Sequence, residues 1–213
     1  MGQNLAPLLS STYDALTVSE SFTPNAAGAG RRALRNTSLE LLSAGIREKG
    51  IPLAERQFAT ADNMTDRFGA LSILSLYPGE VREKALHTFE HQFSNDPLVL
   101  DKWFALQASI PEADTLDRVK RLMKHPGFSM RNPNRVRALI GSFAMANPSQ
   151  FNRLNGAGYV FLRDTVLELD RSNPQVAARL LGAFKAWRLL ERNRRSLADR
   201  KSTRLNSSHA NIS

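Results

Sequence analysis

Cysteine is absent from all 213 residues, which excludes disulfide staples and thiol chemistry and suits a reducing compartment. Long apolar runs are absent too. No stretch approaches the roughly 18 consecutive apolar residues that a membrane span requires, so neither a transmembrane segment nor a membrane partner is expected. The first ten residues, Met1-Gly-Gln-Asn-Leu-Ala-Pro-Leu-Leu-Ser10, contain no basic region leading into a continuous apolar segment, and no signal peptide is read there. Ala6 stands where a myristoylation pattern wants Ser or Thr. Sustained period-two alternation is also missing, so strands are not expected and the fold should be all-α. These absences together point to a soluble, cytoplasmic helical protein.

What is present is ordinary in amount, with 42% hydrophobic residues, but basic, with a net charge of +9. Such a balance invites a nucleic-acid reading. Yet the cations are spread from Arg31 to Arg204, and the one dense cluster is Arg188, Arg192, Arg194, Arg195, Arg200 and Lys201. Single-strand binding wants a continuous basic groove with interleaved aromatics, and that pattern is not found, so nucleic acid is not the expected partner.

The informative stretch is Asn132 to Asn147. Asn132 can cap a helix whose first residue is Pro133, because proline has no N–H to lose there and its φ suits a first turn. Val136, Leu139, Ile140 and Phe143 then recur at helical spacing as one apolar face. Arg135 and Arg137 flank that face near the helix N-terminus, where cations oppose the macrodipole. About forty residues later Asn173-Pro174 repeats the device, with Gln175 and, one turn on, Arg179. Two such starts can aim two arginines at one space.

Elsewhere the pattern predicts consecutive helices over about 4–17, 26–44, from Pro52, from Asp62 or Thr65 to Pro78, 78–94, from Pro97, from Pro111, 148–154, 156–170 and 174–198. Short turns marked by proline favour antiparallel neighbours, hence a curved stack of helix pairs, an α-solenoid of the armadillo or HEAT kind. Trp103 and Phe104, between Leu100 and Leu106, read as core. Asp62-Asn-Met-Thr-Asp66 reads as a cap with its turn, since it lacks the glycine and distal glutamate of an EF-hand.

Several of these segments carry a resemblance. Asn132-Pro-Asn-Arg-Val-Arg-Ala-Leu-Ile-Gly-Ser-Phe143, Gly156-Ala-Gly-Tyr-Val-Phe161, Asn173-Pro-Gln-Val-Ala-Ala-Arg-Leu180, Asp62-Asn-Met-Thr-Asp66 and Leu98-Val-Leu-Asp-Lys-Trp-Phe-Ala-Leu-Gln-Ala108 closely resemble the C-terminal helical domain of bacterial aminopeptidase N, a zinc aminopeptidase of the gluzincin group. The likeness covers roughly residues 31–198, with 1–30 matched loosely. It implies a fragment of a longer enzyme, whose helical domain closes over the catalytic domain and walls off an internal chamber. On that resemblance Arg137, Arg179 and Gln175 line the chamber. A guanidinium fits a carboxylate bidentately, so the arginines would hold or steer a peptide's C-terminus, while Gln175 adds a hydrogen bond. The bland alternative is a pair of ordinary salt bridges to Asp164 or Glu168. Tyr159 is a further chamber candidate, with packing as its other role.

No catalytic residue or metal ligand comes with the resemblance. The family's zinc sits in a separate catalytic domain on an H-E-x-x-H motif, and neither that motif nor its Gly-Ala-Met-Glu-Asn loop occurs here. This chain is therefore expected to hold no cofactor and to be inactive alone. His87-Thr-Phe-Glu-His91 matches the H-x-x-E-H pattern of inverted zincins, but a third ligand is not in view. The implied partners are the catalytic domain of the same polypeptide and peptide substrates. A free-standing solenoid that binds a protein or nucleic acid through a basic face is the alternative. Residues 199–213 look like an in-frame translation of a sequencing adapter and are read as a non-native tail.

Overall fold

The structure, a computed structural model, describes residues 2–17 and 22–199; the tail expected to be non-native lies outside them except for Asp199. All regular structure among the described residues is helical, and no described helix is long and apolar enough to cross a membrane. Two units divide the chain, Met1–His91 and Gln92–Ser213.

The first unit contains α1 (Gly2–Ala15), α2 (Ala26–Gly45), α3 (Arg47–Thr60), α4 (Met64–Ser75) and α5 (Glu80–Phe93), whose last two residues belong to the second unit. α2 packs against α1, α3 and α4 and is the spine of this unit. Its start is set locally, because the Asn25 side chain accepts from the Gly28 N–H at 2.7 Å. A single residue, Ile46, joins α2 to α3, and the two helices touch at Gly50, where a Cβ would lie 2.3 Å from Ser43 Cα. Only a hydrogen fits that crossing. Tyr13, Leu39, Leu42, Leu71, Leu74 and Phe89 form the fully buried interior.

Pro52 does not open α3 as the sequence suggested; the helix begins five residues earlier, at Arg47. Proline this near an N-terminus forfeits one intrahelical bond, and burial of Gly50, Ala54 and Gln57 on one stripe outweighs it. The cap of α4 is Asn63, not Asp62 or Thr65: its side-chain oxygen accepts from the Asp66 N–H at 2.9 Å.

The second unit contains α6 (Pro97–Ser109), α7 (Thr115–Leu122), α8 (Pro133–Val136), α9 (Ser142–Ala146), α10 (Pro148–Phe151), α11 (Ala157–Asp170) and α12 (Pro174–Leu180), followed by helical residues 192–199. α8 runs into α9 through one π-helical turn, Arg137–Gly141, so the helix expected from Pro133 is continuous but locally widened. Its apolar face is the expected one: Val136, Leu139, Ile140 and Phe143 have no exposure at all. Phe143 meets Phe151 and Phe161 edge-on, at 6.2 and 5.7 Å between ring centres.

Expectation and structure part at the end of the chain. One helix from Pro174 to Ala198 is not formed; α12 stops at Leu180 and tightens into 3₁₀ turns at Leu181–Phe184 and Trp187–Leu189. The tighter winding turns Phe184 into the interior, 5.8 Å from the Phe151 ring and 5.9 Å from that of Tyr159. Aromatic packing there wins over the modest propensity of a continuing helix.

Candidate functional site

The two asparagine–proline starts form as the sequence predicts. Asn132 Oδ1 accepts from the N–H groups of Asn134 (3.0 Å) and Arg135 (3.4 Å), and Asn173 Oδ1 accepts from that of Val176 (3.2 Å). Each cap answers backbone donors left over at a helix end.

The arginines that follow the first cap have opposite fates. Arg135 is buried, donating from Nε to Gly127 O (2.7 Å) and from Nη1 to Pro97 O (2.7 Å), pairing with Asp101, and lying 5.6 Å over the Phe104 ring. It clamps the 125–132 turn onto α6. Arg137, two residues on, is exposed and donates to Asn134 Oδ1 on the preceding turn.

Gln175 and Arg179 are both exposed on α12, one turn apart and therefore on one face. Arg179 makes no hydrogen bond or ion pair among the described residues. The packing of the two helices is read at two glycines. A Cβ on Gly141 would lie 3.8 Å from Leu180 Cδ2 and 3.9 Å from Arg137 Cβ, while one on Gly182 would lie 3.9 Å from Met145 Cε. Gly141 thus faces Leu180, and Gly182 faces Met145. Arg137 sits one turn before Gly141, and Arg179 adjoins Leu180. Among the described residues neither arginine pairs with Asp164 or Glu168, and Asp164 is held by its neighbour Arg163 at 2.5 Å.

Other candidates resolve as follows. Trp103 and Tyr159 are buried, and Tyr159 donates to Asn152 Oδ1 at 2.9 Å, which makes it a packing residue. Burial raises its phenol above the ordinary range. His87 and His91 stand exposed on α5 with rings stacked 6.4 Å apart, and no group of three or more His, Asp or Glu side chains among the described residues is placed to hold a metal ion.

One feature of the first unit was not visible in the sequence. Asp66, read there only as part of a cap, is buried and accepts from Arg35 Nη1 (3.2 Å), Asn36 Nδ2 (3.0 Å) and Asn63 Nδ2 (3.1 Å). Arg35 also reaches Tyr13 Oη and Thr17 Oγ1, both at 3.2 Å. The network lines a cleft of about 360 Å³ that Arg31, Arg32 and Asp62 complete. Its members come from segments some 30 residues apart, and no local pattern announces them.

Comparison with known proteins places this chain in a family. The chain is 44% identical to aminopeptidase N of Caulobacter vibrioides over 185 residues, covering 87% of this chain and 21% of that protein. It is 40% identical to aminopeptidase N of Haemophilus influenzae over 174 residues, covering 82% and 20%. Among solved structures, Legionella pneumophila aminopeptidase A in complex with aspartic acid matches with a TM-score of 0.83 and 32% identity, covering 94% of this chain and 25% of that one. The chain thus spans about a fifth of the length of the curated relatives it matches. The family model described as a domain of unknown function of ARM repeats, DUF3458_C, matches residues 1–213, and this all-α chain belongs to that family.

Proposed function

We propose that this segment is a non-catalytic domain of a zinc-dependent aminopeptidase, one that closes and lines the active-site chamber and controls which peptides enter. The observation that carries the reading is the pair of exposed guanidiniums, Arg137 one turn before Gly141 and Arg179 beside Leu180, the residue that Gly141 faces. Similarity to part of aminopeptidase N over most of the chain supports it. Arg179 has its whole fork available, and Arg137 is steadied by Asn134. Such forks suit the carboxylate at the C-terminal end of a peptide whose N-terminal end is being hydrolysed. Gln175 offers an amide to the peptide backbone beside them. Selection is by exclusion: short or unfolded peptides pass, and folded proteins do not. The partners are then the catalytic domain of the same polypeptide, which supplies the zinc, and peptide substrates, with the cytoplasm as the place of action.

The test uses a full-length aminopeptidase that carries this segment. Arg179→Ala and Arg137→Ala raise KM about tenfold for tripeptides with a free C-terminal carboxylate, the loss of one charge-assisted contact. The same variants leave KM for the C-terminal amides and for aminoacyl arylamides unchanged. Equal effects on free and amidated peptides would overturn the reading.

A further inference from the structure

Among the described residues, the cleft in the first unit carries more cations than anions. Five ionisable side chains among the described residues face it: Arg31, Arg32, Arg35, Asp62 and Asp66. Asp66 and Arg35 answer each other within the network described above. Asp62 accepts from the Phe22 N–H at 3.0 Å and from Asn63 Nδ2 at 2.9 Å. Those two bonds, with the Arg32 charge as a lesser cause, keep its carboxyl ionised below the ordinary range.

The other two arginines are poorly answered. Arg32 makes one long bond, Nη1 to Thr23 O at 3.4 Å, and its guanidinium lies 4.7 Å over the Phe22 ring. Its Nε–H is buried with no acceptor. Arg31 is half-buried on the cleft wall and has no hydrogen bond or ion pair among the described residues. A buried N–H without an acceptor is costly, and in a native protein the Arg32 Nε–H calls for a missing acceptor. Arg31, adjacent to it in sequence, lines the same cleft of about 360 Å³ with its guanidinium uncommitted among the described residues.

We infer that this cleft is a binding site for a small oxyanion, a phosphate or carboxylate group held by Arg31 and Arg32. The planar fork of each guanidinium matches two oxygens of either group. A small turn of the Arg32 guanidinium toward the cleft gives its Nε–H the acceptor it lacks. Asp62 sets a limit on size, because it repels an anion that extends far past the two arginines.

Titration calorimetry on the full 213-residue chain tests this with inorganic phosphate and, separately, citrate, at ionic strength matched with sodium chloride. Saturable binding of either anion is expected, and the one that binds tells whether the natural ligand is a phosphate or a carboxylate. Arg31→Ala, which removes no hydrogen bond or ion pair among the described residues, should melt as the wild type does in chloride yet bind about tenfold more weakly, the loss of one charge-assisted contact. Arg32→Lys keeps the charge and loses the fork, so it should weaken binding as well. The inference is overturned if neither anion saturates, or if Arg31→Ala binds as tightly as the wild type.

Discussion

Arg135 is tied to Asp101 by a largely buried ion pair that joins the first turn of α8 to α6, residues 34 apart in the chain. The same guanidinium holds the carbonyls of Pro97 and Gly127, both at 2.7 Å. A cation at the unfavourable end of a helix is thus answered from outside the helix, by one carboxylate and two carbonyls.

Truncating that side chain strands all three acceptors at once. Arg135→Ala should lower unfolding free energy by about 3–5 kcal/mol, the range for breaking one side of a buried pair. Asp101→Asn keeps both carbonyl bonds and should cost about 1–2 kcal/mol. Urea unfolding followed by circular dichroism measures both, and equal losses would mean that the carbonyl bonds contribute little.

Gly158 in the first turn of α11 is a second point of tight approach. A Cβ there would lie 2.3 Å from the carbonyl oxygen of Phe151, a backbone atom that cannot turn aside. Gly158→Ala should therefore destabilise the chain by about 1–3 kcal/mol, the usual cost of overpacking. Gly30→Ala, where a Cβ would meet nothing within 4 Å beyond its own helix backbone and chain neighbours, serves as the control, and its melting temperature should not fall.

Tyr159 makes stability sensitive to alkali. Its phenol is raised above the ordinary 10.0 by burial, so the folded state holds the proton more tightly than the unfolded one. Its contribution is complete below about pH 10 and is lost as pH rises through the folded value. Tyr159→Phe should cost about 1 kcal/mol at neutral pH, where the bond to Asn152 is lost, and should flatten the decline above pH 10. Tyr77, raised by burial in the same sense, keeps some of that slope in the variant. Melting curves between pH 8 and about 11 decide the matter, and an unchanged slope counts against it.

The pure chain should release no amino acid from peptide arylamides, with or without added zinc. His87 and His91 are exposed on α5, and the described residues bring no third carboxylate or imidazole to them. Hydrolysis that disappears in His87→Ala would place a metal centre on that helix and remove the non-catalytic reading.

Much of the second unit was legible because its signals are local. An asparagine or aspartate before proline places an acceptor within reach of the next N–H groups, and Asp96, Asn132, Asn147 and Asn173 all cap as that pattern requires. The Val136, Leu139, Ile140 and Phe143 face follows from spacing alone. Less legible was Asn147, which besides capping α10 donates to the carbonyls of Ala108 (3.0 Å) and Ile110 (2.8 Å) and so pins the end of α6. Nothing near Asn147 in sequence signals those partners.

Sequence alone determined that this protein is all helical, where most helices start, which apolar face of the central helix is buried, and, through long matching segments, the family to which it belongs. Each of these depends on residues a few positions apart, where spacing translates directly into geometry. Tertiary structure decided what two neighbouring arginines do, because Arg135 meets acceptors from distant segments while Arg137, turned outward at the π turn, does not. It also decided where the last helix breaks, since Phe184 gains more from Phe151 and Tyr159 than a straight helix would give. The cleft of Arg31 and Arg32 belongs to the same class: helix α2 carries the cations, but only its packing beside α3 and the 61–63 turn makes a site of them.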